Sequence, residues 1–237
     1  NDTDFEYDAL NKISWIKGSD YKIRLSAASS GYQSVLPLSL ITRFLSDLVL
    51  DNANKEDLSI KEKKQIEKEV NKVMNDKSLT DGVKFAMLRN ISSRFKYSCF
   101  VNIVEEMELN LYPESQRSVL FDLLSYANKI ELNRLVLTTH SPYVINYLTL
   151  AAKAFLLTQK VSANETLQER VKEVVPADSA IDPARLRIYE LKDGGVFRLS
   201  TYEGLPSDEN FLNIQLGVTN ELFDQLLEIE QEFDYKN

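Results

Sequence analysis

Glu105 and Glu106 end the apolar run Cys99-Phe-Val-Asn-Ile-Val104, and His140, the sole histidine, ends a second run, Leu135-Val-Leu-Thr-Thr139. Two carboxylates at the tip of a buried strand can divide a hydrolytic task. One holds a divalent cation and the other polarises a water molecule. Ionised carboxylates in such a place need a cation or solvent to compensate them. An imidazole at the tip of a neighbouring strand can meet a phosphate group there. Upstream, Ser29-Ser-Gly-Tyr-Gln33 precedes a helical pattern. A hydroxyl, a bare backbone and a helix N-terminus together make an anion site. Each feature also has a purely structural counterpart: a solvated acidic turn, a structural histidine, a helix cap. One His and one Cys cannot supply the soft-ligand cluster of a zinc site.

Strands and helices must present these groups. Cys99–Val104 and Arg134–Thr139 read as buried strands, and Glu114–Lys129 and Ser141–Gln159 as helices between and after them. That βαβ rhythm predicts a parallel sheet covered on both faces. Before it, Tyr21–Leu25 alternates like a half-buried strand, Ser26–Gly31 reads as a loop, and residues 1–19 as irregular apart from a short strand at Trp15-Ile16. Val35–Leu50 repeats apolar residues at helical spacing, with Pro37 in its first turn. Residues 51–98 read as a helical insertion. Ser59–Met74 carries only a narrow apolar stripe on a charged helix, and Asp81–Arg94 forms a second helix with Thr80 in the N-cap position. Beyond a polar stretch at 176–183, Leu186–Leu191 and Val196–Thr201 flank Lys192-Asp-Gly-Gly195, a hairpin signal. Asn220–Phe233 reads as an acidic amphipathic helix.

The 237 residues suffice for one α/β domain with a sizeable core. A net charge of −8 opposes strong binding of the whole surface to nucleic acid, though a local basic face escapes that average. One cysteine excludes an internal disulfide, casts Cys99 as a small buried hydrophobe, and favours a cytoplasmic location. No secretory leader is legible in the acidic first twenty residues. No segment reads as a membrane span, since the apolar stretch Leu148–Leu157 is short and interrupted by Lys153.

The run Glu105-Glu-Met-Glu108 with Leu111, Pro113 and Gln116 resembles the E-E-P-E-x-x-L-H-P-x-x-Q motif of bacterial ABC-type ATPases related to SMC proteins and to the overcoming-lysogenisation-defect family. Met107 replaces the usual proline and Tyr112 the usual histidine. Thr138-Thr-His-Ser-Pro142 is similar to the family's switch segment, and Ser29–Gln33 to its signature loop. The resemblance spans roughly residues 13–160. It implies a P-loop NTPase-like α/β fold of ABC type, a partial parallel sheet flanked by helices, to which the residues themselves add a helical insertion and a C-terminal β-hairpin plus helix that match no motif of the family. It further implies ATP and Mg²⁺ as cofactors and assigns roles along the chain. Glu105 becomes the metal ligand, Glu106 the catalytic base, and His140 the γ-phosphate sensor. Ser30, Gly31 and Gln33 cap the nucleotide of a partner across a two-fold dimer interface. Relatives in this family work in DNA maintenance or anti-phage defence, with nucleic acid or an effector protein as partner and no membrane.

No G-x-x-x-x-G-K-[ST] loop occurs in the chain, so the groups that cradle the α- and β-phosphates are missing from it. The expectation is therefore the C-terminal half of such an ATPase. A degenerate, non-catalytic interaction domain of the same fold is the alternative. A metal nuclease built on Glu105, Glu106 and Glu108 is a third reading, weakened because neighbouring carboxylates on a strand tip point apart.

Overall fold

The computed structural model describes residues 3–54, 59–94 and 98–236. The chain opens with an antiparallel meander, β1 (Asp4–Asp8), β2 (Ile13–Lys17) and β3 (Lys22–Arg24). Residues 4–17 thus form a hairpin where an irregular segment was expected. Asp8 closes it, accepting the backbone N–H groups of Leu10 and Asn11 at 3.0 Å each, while Lys12 takes a left-handed φ of 55°. Such turns suit Asx side chains, which satisfy backbone donors locally. The Trp15 ring lies under both Lys22 and Arg24, adding cation–π attraction across the strands.

A short 3₁₀ turn at Leu25–Ala27 leads into α1 (Ser30–Asn54). The helix starts five residues before the expected Val35, so Pro37 falls inside it and not in its first turn. The stretch Ser30–Asp51 is long and apolar enough to cross a membrane by length and composition, a property the sequence reading missed. Here its polar side is locked onto the rest of the protein. Thr42 and Ser46 are buried, Asn102 donates to Thr42 Oγ1 at 3.0 Å, and Lys129 pairs with Asp47 at 3.3 Å.

The insertion holds α2 (Ile60–Asn75) and α3 (Asp81–Arg94), which pack on one another. Ser59 forms a capping box with Glu62, satisfying two backbone donors at the start of α2. The Thr80 carbonyl accepts from Lys84 N at 2.9 Å, as its N-cap position requires. None of the main core cluster comes from these helices. Residues 55–58 and 95–97 of the expected insertion lie outside the described residues.

The mixed α/β body follows with β4 (Val101–Glu105), α4 (Pro113–Asn128), β5 (Arg134–Thr138) and α5 (Pro142–Lys160). β4 and β5 pair in parallel with Val101 opposite Arg134 and Glu105 opposite Thr138. Buried Asn133 sets that register by accepting Phe100 N at 3.1 Å, while Arg134 N donates to Phe100 O. Cys99, just before β4, is half-buried. The sheet alternates strictly. Val104, Leu135 and Leu137 join the core with Leu120, Leu124, Val144 and Leu148, and Val35 and Leu38 of α1 pack against the same cluster. Val101, Ile103 and Val136 point the other way and are 58%, 68% and 48% exposed. The parallel pair is therefore covered on one face and bare on the other, contrary to the two-sided burial its apolar runs predict.

A helix absent from the sequence reading, α6 (Glu165–Val174), is capped by Asn164, whose side chain accepts Leu167 N at 3.1 Å. Two 3₁₀ turns then strap the chain across α4, where Ser179 Oγ donates to Phe121 O at 2.9 Å and Asn128 donates to Asp178 O and Ala180 O. The expected hairpin forms as β6 (Tyr189–Lys192) and β7 (Gly195–Arg198), turning through Asp193 and Gly194 with φ of 51° and 73°. A second small hairpin, β8 (Thr201–Tyr202) and β9 (Leu205–Pro206), precedes α7 (Phe211–Lys236), which starts nine residues before the expected Asn220.

Candidate active site

The tips of β4 and β5 lie side by side because the two strands are parallel and in register. C-terminal strand ends are where open α/β sheets hold ligands. Immediately past β4 the backbone of Glu106 flips to a left-handed φ of 47°, and its N–H donates to Thr138 O at 3.0 Å and approaches Thr138 Oγ1 at 3.3 Å. A non-glycine residue in that region is strained by about 1–2 kcal/mol. The flip carries the carboxylate across to β5, where Glu106 Oε1 stands 3.5 Å from His140 Nε2. Both side chains are accessible, at 41% and 84% exposure, so an incoming ligand reaches either one. Glu105 stays on the open face of the sheet with Val101 and Ile103, exposed at the strand tip.

Three further groups, of which only Glu108 had a role in the sequence readings, as a nuclease carboxylate, fix this arrangement. Glu108 accepts the His140 backbone N–H on Oε1 at 2.6 Å, while its Oε2 is buried without a partner. Gln116, buried on α4, donates to Leu111 O at 3.0 Å and accepts from Ser141 Oγ at 2.7 Å. It thereby ties the turn after β4 to the loop after β5. Met107, standing where the resembled motif has proline, is buried in the main core. The turn is anchored by burial instead of by a stiff ring. Gln116 and Glu108 were legible only as letters of a motif, since no spacing rule predicts which side chains reach across two loops.

Ser30 opens α1 and is exposed, while Gly31 backs onto the same acidic turn. A Cβ at Gly31 would stand 3.0 Å from Asn110 O and 3.3 Å from Leu111 Cδ2. Close backbone approach thus gives this glycine a packing reason within the chain. Gln33 folds back to donate to Ala28 O at 2.8 Å. The structure brings the Gly31 backbone beside the turn that carries Glu106, but directs the Gln33 amide into its own loop.

No protein-family model, curated protein or solved structure matches the chain. The chemistry therefore rests on the residues themselves. Among the described residues no group of three or more His, Cys, Asp and Glu converges on a metal position. Glu108 is committed to the His140 backbone, which removes it from the three-carboxylate set a metal nuclease would use. A magnesium ion bound through one carboxylate, substrate phosphates and water makes no such demand, and the exposed Glu105 tip fits that donor set.

Proposed function

We propose that this chain is the C-terminal half of an ABC-type ATPase, hydrolysing ATP at a two-fold interface in DNA maintenance or anti-phage defence in the cytoplasm. The observation that carries the reading is the pairing of Glu106 with His140, 3.5 Å apart on adjacent strand tips. Glu106 takes the proton of the attacking water, and its left-handed backbone turns the carboxylate toward His140. His140 donates toward the terminal phosphate. Glu105 would hold Mg²⁺, and a bound ion would supply positive charge against the phosphate oxygens. Ser30 and Gly31 face the nucleotide of the partner subunit, and Gln33 braces the loop that presents them through its bond to Ala28 O.

Two features support a half rather than a whole catalytic unit. The phosphate loop is missing from the sequence, and the parallel pair leaves Val101, Ile103 and Val136 uncovered. Parallel sheets are built with both faces buried, so a further α/β segment carrying the phosphate loop completes the sheet. The missing loop equally favours the second reading, a non-catalytic interaction domain of the same fold.

Joining the chain to a phosphate-loop half and comparing it with the Glu106→Gln variant tests the proposal. The variant should bind ATP normally, hydrolyse it about 10²- to 10⁴-fold more slowly, and accumulate as an ATP-bound dimer. Unchanged turnover removes Glu106 from the role. No turnover in the joined wild type, with partner binding intact, favours the interaction domain.

A further inference from the structure

The hydrogen bonds that tie α7 to other described elements gather at its start. Phe211 N donates to Glu190 Oε1 at 2.6 Å, and Asn213 bonds to Asn210, Asp208 and Asn146. From Thr219 to Gln231 every side chain is exposed. Leu222, Leu226 and Ile229 follow a four-three spacing, which aligns them in one stripe along the helix. Glu221 and Glu228 flank the stripe on one side and Glu230 on the other. Six acidic residues against one basic residue lie between 211 and 236. A leucine stripe rimmed by acids selects against pairing with its own copy, because the like charges at its edges would meet.

The complementary surface lies in the same chain. Residues 59–94 hold nine basic and five acidic residues, against a strongly acidic whole. On α2, Lys61, Lys64, Lys68 and Lys72 recur every three or four positions and form one exposed ridge. Ile60 and Met74 are also exposed, one at each end of the helix, with the charged or polar Lys63, Glu67 and Asn71 between them on that side. α2 is about 24 Å long and the projecting part of α7 is similar. Length and charge match.

We propose that the projecting face of α7 docks on the lysine ridge of α2 in a second copy of this chain. The leucine stripe lies along the aliphatic stems of the lysines, and Glu221, Glu228 and Glu230 meet their charged ends. Each copy offers one acidic helix and one basic helix, and the proposed dimer forms both contacts at once about a two-fold axis. It needs no nucleotide and uses none of the strand-tip residues.

Sedimentation equilibrium of the 237-residue chain in nucleotide-free buffer tests this. The wild type should show a concentration-dependent dimer that weakens at least tenfold when salt rises from about 0.05 to 0.5 M. Triple charge reversal on either helix, Glu221→Lys/Glu228→Lys/Glu230→Lys or Lys61→Glu/Lys64→Glu/Lys68→Glu, should leave a monomer with unchanged helix content by circular dichroism. Mixing the two variants should restore a dimer, which also shows that both are folded. A wild type monomeric at about 100 μM overturns the proposal, as does a dimer that survives both reversals or fails to return on mixing. A monomer whose lysine ridge instead binds a DNA duplex overturns it in favour of nucleic acid.

Discussion

The carboxylate of Glu108 accepts the main-chain N–H of His140 at 2.6 Å, so the loop after β4 holds the loop after β5 in place. Removing one partner of a bond to a charged group leaves the other unsatisfied, at about 1–3 kcal/mol. Glu108→Ala should therefore lower stability by that order in urea unfolding and speed amide exchange at His140. Glu108→Gln retains an acceptor and should lose less. Equal, negligible effects in both variants would show that the loops hold each other by other means.

Gly31→Ala should destabilise the fold by about 1–3 kcal/mol, because the new methyl would press on the Asn110 carbonyl. Gly82 offers a control, since nothing lies within 4 Å of a Cβ there. Denaturation of the two alanine variants separates close packing from loss of backbone freedom. Similar midpoints would mean that α1 shifts away from the turn without strain.

Burial, and then the neighbouring charge of Asp178, push the Asp122 carboxyl above its ordinary value of 3.8. A carboxyl whose pKa is higher folded than unfolded holds its proton more tightly in the native state. Its contribution is most favourable below pH 3.8 and is lost as pH rises through the raised value. Asp122→Asn should consequently raise the melting temperature at pH 7 and have little effect near pH 3. A uniform shift at both values would refute the electrostatic origin.

α2 and α3 pack on each other and contribute nothing to the main core cluster. Replacing residues 55–97 with a Gly-Ser linker of about eight residues should preserve cooperative thermal unfolding, since loop closure changes slowly with length. A broad, non-cooperative melt would make the helical pair part of the core.

The segments around the candidate site were the most legible from sequence. β4, β5, α4 and α5 fell within two residues of expectation because apolar runs there end in Glu105, Pro113 and Pro142. Asp193-Gly194 announced its hairpin through backbone chemistry alone. Where the signal was weak or ambiguous, the reading failed. Pro37 looked like a first-turn residue and hid the true start of α1, while the exposed strand β1, whose aromatics alternate with acids, is held by pairing with β2 rather than by an apolar face of its own. The hydrogen bonds of Glu108 and Gln116 join loops whose meeting depends on tertiary packing. The same holds for the bare side of the sheet. An apolar strand records that burial is needed, and not which chain provides it.

The left-handed backbone of Glu106 sets two kinds of selection against each other at one position. Glycine or asparagine would adopt that conformation with less strain. A library screened for heat resistance should therefore enrich those residues at 106, and every winner would lack the carboxylate. A lineage under pressure only to stay folded would drift the same way. Sequences that keep glutamate there are those in which something other than stability is being selected.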